Sequence, residues 1–126
     1  MKISAKADYA LRAAVALAEA APEGWVKADA LAQRTKIPRE FLENILGELR
    51  RAAVVVTRRG SDGGYALARD PSEIAAHDVL AAVGSSVFDA TASDGAVGAL
   101  WVQLSSASRA LLDSVTLADL AAGASA

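Results

Sequence analysis

The chain has 126 residues, a net charge of −2 at pH 7, and a hydrophobic content of 53% with only 5% aromatics. That length suits a single domain, and small side chains at that density suit closely packed helices better than packed sheets. Cysteine is absent and His77 is the single histidine, which excludes disulfides, thiolate metal sites and a cysteine nucleophile.

In chain order, "SAKADYALRAAVALAEA" from Ser4 to Ala20 reads as a helix with Ser4 as its N-cap. "APEGW" breaks it, and Trp25 is expected to close the core there. "VKADALAQRT" holds a second, short helix around Leu31, "KIP" makes a turn, and Pro38 suits the first position of a third helix. In "PREFLENILGELRR" the apolar residues Phe41, Leu42, Ile45, Leu46 and Leu49 fall on one face. The opposite face carries Arg39, Glu40, Glu43, Asn44, Gly47 and Arg50, side chains able to read base edges or hold phosphates. Glu48 lies off that face and is expected to be solvated. Gly47 either permits a close backbone approach or is simply tolerated.

The period then changes. "VVVT" and "YALA" flank an Asp62-Gly63 turn, a hairpin in which Asp-Gly tolerates the positive φ such turns need. Directly after a helix-turn-helix, that hairpin is a wing, with Arg58, Arg59 and Gly60 on its rim. "DPSEI" opens a fourth helix, with Asp70 as N-cap, Pro71 first and Glu73 completing a capping box, and this helix is expected to reach Val83. A small-residue connection covers 84–96. From Val97 to Val115 a long helix carries an apolar stripe that includes Leu100, Trp101, Leu104, Leu111, Leu112 and Val115. Thr116 and Asp119 are placed to cap a short closing helix. The expected fold class is mainly α with a small β-hairpin. Residues 1–83 form a winged helix-turn-helix domain with its following helix, 84–96 a connecting loop, and 97–126 a dimerisation helix and C-terminal tail.

Residues 1–70 carry twelve Lys and Arg against nine Asp and Glu, whereas residues 71–126 carry one against six. A basic head on an acidic tail points to a polyanion partner, here double-stranded DNA. Arginine on a stiff hairpin suits the enhanced negative potential of a narrow A·T-rich minor groove; Arg59 is so placed, while Arg58 points to the other face, towards phosphate or towards nothing. Lys2 and Lys6 oppose the dipole of the first helix, and a phosphate bound at that N-terminus would compensate. The long apolar stripe would lack cover in one copy and be buried in an antiparallel pair, so a homodimer on an inverted repeat is expected. No catalytic constellation appears: the glycines at 60, 63 and 64 lie in a hairpin, and Asp62 and Asp70 have no base or metal beside them. His77 has no evident functional partner. The chain reads as a non-enzyme. No apolar run reaches the roughly 18 residues of a membrane span, and the charged first helix is not a signal peptide, so a cytoplasmic, nucleoid-associated protein is expected.

Three stretches carry a family resemblance: "MKISAKADYALRAAVALA", "LAQRTKIPREFLENILGELRRAAVVVTRRGSDGGYALARDPSEI" and "ALWVQLSSASRALLDSVTLADL". Together they resemble the Rrf-two family of winged-helix regulators, which includes the IscR, NsrR and CymR types. The most specific part is Arg59-Gly60 followed by Gly63-Gly64-Tyr65. The resemblance implies a dimeric bacterial transcription regulator, with Arg39, Glu40, Glu43 and Asn44 reading bases. It also implies Arg59 and Gly60 at the wing tip, and Lys2, Ser4, Lys6 and Tyr9 gripping phosphate. Many members hold an iron–sulfur cluster on three cysteines; the matching stretch here, "FDATASDGAVGALW", has none. Asp8 and Arg12 occupy first-helix positions that some members use as ligands, but arginine is no such ligand. The resemblance is therefore to the cluster-free branch, with no cofactor, in which a protein partner or small-molecule effector sets DNA affinity. A winged-helix interaction module that has lost DNA binding is the competing expectation. Ala53 departs from a helix-ending glycine, so the third helix is expected to end differently.

Overall fold

Ser4 accepts a hydrogen bond from Ala7 N at 3.0 Å, and α1 runs Ala5–Glu19 behind that cap. The computed structural model describes residues 3–85 and 94–123. Lys2 and most of the 84–96 connection lie outside the described residues. Alanine sets the packing of α1: Ala10, Ala13 and Ala14 are fully buried, and without bulk at those positions neighbouring helices approach closely. Those neighbours are α2 (Ala28–Thr35), α3 (Arg39–Arg51), α4 (Ala76–Ala82) and α6 (Leu117–Ala121). Leu17, Leu31, Leu42, Leu46, Leu49, Ile74 and Leu117 fill the space between them, and among the described residues no polar or charged side chain is buried.

α2 ends in a left-handed Lys36, and Pro38 is the N-cap of α3 rather than its first residue. Gly47 leaves only an ordinary contact of 3.5 Å between an added Cβ and Arg51, so it is tolerated rather than needed for a close approach. The end of α3 does not depart from the glycine pattern. Ala53 takes φ 61°, its N–H donates to Arg50 O at 3.0 Å, and Val54 N donates to Leu49 O at 2.9 Å. These are the paired bonds of a Schellman motif, sealed by buried Val54 over buried Leu49, with alanine standing where glycine is favoured.

The wing pairs β1 (Val55–Arg58) with β2 (Gly64–Leu67) in antiparallel register, from Val55 opposite Leu67 to Arg58 opposite Gly64. Positive φ falls on Gly60 and Gly64, not on Asp62-Gly63; the tip is a turn closed by Gly63 N to Gly60 O at 3.1 Å. A third chain segment joins the sheet. Val26 exchanges both backbone bonds with Tyr65, at 2.9 and 2.7 Å, so the wing is fixed to the loop before α2. Gly64 is required at that junction, because an added Cβ would strike the Val26 carbonyl.

Asp70 caps a single 3₁₀ turn, Pro71–Glu73, by accepting from Ser72 N at 2.9 Å, and the expected Glu73 capping box does not form. Ile74 is extended and buried, and its carbonyl accepts from Leu117 N at 2.9 Å, while Ala75 bridges Thr116. That pairing holds the backbone out of helix until Ala76, so α4 starts later than expected, with Asp78 accepting from Ala75 N at 2.8 Å. α5 spans Gly95–Ser114, absorbing the end of the expected connection. α6 follows at once, with Thr116 and Asp119 closing the expected reciprocal cap at 3.1 and 3.0 Å.

Candidate nucleic-acid interface

The start of α1 packs on α3, and α3 leads directly into the wing. On α3, Glu40, Glu43 and Asn44 are exposed and project together. Arg39 is exposed but occupied: its Nε meets Glu43 Oε1 at 3.0 Å, and its guanidinium pairs with Asp29 of α2. Any other acceptor would have to exchange with these two carboxylates to reach the Arg39 guanidinium.

The start of α1 faces the middle of α3. Lys6 Nζ lies 2.9 Å from Glu48 Oε1, with Glu48 28% exposed, so Glu48 is a partly buried clasp between helices rather than a free solvated residue. Its second oxygen, Oε2, is buried without a hydrogen-bond partner. Ser4 is used by its cap, and Tyr9 packs against Phe41 with ring centroids 6.3 Å apart. Phe41 is 58% exposed, contrary to its expected place in the core. The signal was present in the sequence: at 100° a residue, Phe41 lies about 90° from the centre of the Leu42, Ile45, Leu46 and Leu49 stripe.

At the wing, Lys27 Nζ donates to Gly60 O at 2.6 Å, which ties the hairpin tip to the start of α2. Together with the Gly60–Gly63 turn after it and the pairing of Arg58 with Gly64 before it, this anchors the backbone on either side of Arg59. Arg59 is exposed and, among the described residues, has no carboxylate partner. Arg58 lies 6.0 Å over the ring of Trp25, so Trp25 is half-buried under the wing instead of closing the core. Neither Lys27 nor the Trp25 platform is foreseeable from spacing, because both act across more than thirty residues of chain.

α5 stands apart from this face. Leu100, Leu104 and Leu111 are 53%, 39% and 52% exposed, and Trp101 and Leu112 are half-buried. Val115 is 8% exposed, its carbonyl accepting from Ala76 N at 2.7 Å, so it belongs to the junction with α4 and not to the exposed stripe. His77 is half-buried on α4, beside Asp78 and Arg69. Asp8 and Arg12 pair with each other at 2.8 Å on α1. Among the described residues no three His, Cys, Asp or Glu side chains gather where a metal could be held, and no helix is long and apolar enough to cross a membrane.

Three helices ending in an exposed polar face, followed by an anchored hairpin, define a winged helix-turn-helix of the DNA-binding regulator class. The Rrf2 family model, described as "Iron-dependent Transcriptional regulator", matches residues 3–123. A Mycobacterium tuberculosis protein carrying a provisional HTH-type transcriptional regulator name is 44% identical, across 98% of this chain and 83% of the relative. The transcriptional regulator CymR of Bacillus subtilis is 33% identical over 96% of this chain and 90% of its own. A solved structure of CymR, described as the global cysteine regulator of B. subtilis, superposes with a TM-score of 0.89 at 32% identity, covering 98% of each chain. The chain belongs to the Rrf2 family of transcriptional regulators. The iron–sulfur cluster that family members can carry does not fit these residues: there is no cysteine in the sequence, and the Asp8 carboxylate is held by Arg12.

Proposed function

We propose that the protein is a sequence-specific, cluster-free DNA-binding repressor that acts as a homodimer on an inverted repeat in the cytoplasm, and that it catalyses no reaction. The observation that carries this reading is an exposed polar α3 face leading into a wing whose tip is anchored on both sides of Arg59, which has no carboxylate partner among the described residues. In this arrangement α3 enters the major groove with Glu40, Glu43, Asn44 and a released Arg39 at base edges. Arg59 enters the flanking minor groove, and Lys6, with Lys2 before it, meets the phosphates. Arg58 is held back on Trp25 and contributes field more than contact.

Support for the dimer comes from α5. A helix of 20 residues with Gly98 alone buried leaves Leu100, Leu104 and Leu111 on one exposed arc. Packing that arc against a second copy would remove it from water, at roughly 25 cal/mol for each Å² of apolar surface buried.

The test is selection of fragmented genomic DNA by purified protein treated with chelator, at physiological salt. A shared inverted repeat is expected, bound with an affinity that falls steeply as salt rises, because neutralised phosphates release counterions. Retention of no sequence above background, with or without added iron, would overturn the DNA-binding reading. Recovery only after iron is added would overturn the cluster-free one.

A further inference from the structure

Between α1 and α3 lies a cleft of about 470 Å³ lined by Lys6, Tyr9, Phe41, Asn44, Glu48 and Arg51, among others. Its wall is aromatic: Phe41 is 58% exposed and is steadied by Tyr9 at 6.3 Å between centroids. An exposed phenyl ring on a reading helix costs solvation and contributes nothing to the core, which already closes beneath it on Leu42 and Ile45. The rim is cationic, through Lys6 and Arg51, and Glu48 holds Lys6 in place at 2.9 Å. An apolar wall between a phosphate-seeking cation and a base-reading amide matches one feature of the major groove. The thymine C5-methyl group projects there, on the side of its own strand's backbone, with thymine O4 between it and the adenine edge that asparagine reads with two hydrogen bonds.

We propose that the α1–α3 cleft is a thymine-methyl subsite, with Phe41 and Tyr9 taking the methyl group and Asn44 the adenine of the same or the adjoining base pair. Phe41 and Asn44 stand one helical turn apart on the same edge of α3, the spacing at which side chains are neighbours. Phe41 is thereby a specificity-determining residue: it separates thymine from cytosine, and thymine from uracil, which differs from it only by the methyl group. The inference rests on the DNA-binding reading and names the base chemistry it uses.

The experiment starts from the duplex recovered when the full chain selects from a random-sequence library. Each thymine is replaced singly by deoxyuridine, and affinities are measured by fluorescence anisotropy for wild type, Phe41→Ala and Phe41→Leu. Removing the one buried methyl group in either half-site should weaken wild-type binding about fourfold. Phe41→Ala should lose that penalty at the same position, and Phe41→Leu, which keeps an apolar wall, should retain part of it. Because Phe41 is exposed, both variants are expected to melt with the wild type. Wild-type binding indifferent to deoxyuridine throughout the site would overturn the subsite while leaving the regulator intact. So would a penalty of equal size in Phe41→Ala, since the methyl would then act through duplex shape. Failure of wild type to retain any duplex would overturn the DNA-binding reading itself, and the subsite with it.

Discussion

The joint between α3 and the wing turns on Ala53, which sits at φ 61° with its N–H and that of Val54 closing the last turn of α3. A side chain in the left-handed region costs roughly 1–2 kcal/mol, and glycine removes that cost. Against this, glycine makes the unfolded chain more disordered, by about 0.5–1 kcal/mol relative to alanine. The balance favours Ala53→Gly by about 0.5–1 kcal/mol, a rise of roughly 2–4 °C in melting temperature for a domain of this size. Ala52, one residue earlier at φ −87°, supplies the control: glycine there brings the entropic cost with no strain to relieve, and should lower stability by a similar amount. Thermal melts followed by circular dichroism at matched protein concentration read both variants. Matching matters because association raises an apparent melting temperature. Operator affinity should be unchanged, since glycine adopts the same Schellman geometry. A melting temperature for Ala53→Gly at or below that of wild type would refute the reasoning, and so would equal shifts at the two positions.

Three other substitutions test the remaining parts. Arg59→Ala should weaken operator binding by roughly 1–3 kcal/mol while leaving melting and association alone, because the side chain is exposed on an independently anchored loop; unchanged affinity would remove the wing from the contact. Leu104→Glu puts a charge on the exposed arc of α5, where Leu104 is 39% exposed, and should yield a folded monomer by sedimentation equilibrium; a persisting dimer would place the interface elsewhere. Side-chain and backbone hydrogen bonds from Ser72 hold the Asp70 carboxyl below the usual carboxylate range. A lowered native pKa adds stability above the unfolded value that is lost as pH falls through the native one, so Asp70→Asn should flatten the acid limb of the stability curve below about pH 4. An identical acid limb in the variant would show that the turn is held by Pro71 alone.

Local chemistry is written in the sequence alone. The Ser4 cap, the Leu42, Ile45, Leu46 and Leu49 stripe, the two strands of the wing and the Thr116–Asp119 cap each depend on residues a few positions apart, or on one period within a single element. The family resemblance worked on the same scale, through short contiguous motifs. Phe41 is the exception, because an aromatic residue at the margin of an apolar stripe looks like core until Tyr9 of α1 is seen to cover only part of it.

What tertiary structure decided are pairings across long separations. Lys6 meets Glu48 forty-two residues away, Val26 enters the wing through Tyr65, and Lys27 pins the Gly60 carbonyl. The Asp70–Glu73 signal for a helix was sound locally and lost to Ile74, whose buried side chain and bond to Leu117 hold the backbone extended until Ala76. Val115 left the exposed stripe for the same junction. A cap or an amphipathic period is an energy of neighbouring residues and is written in their order. A bridge between distant segments competes with that energy only once the core has brought them together, and here the bridge won.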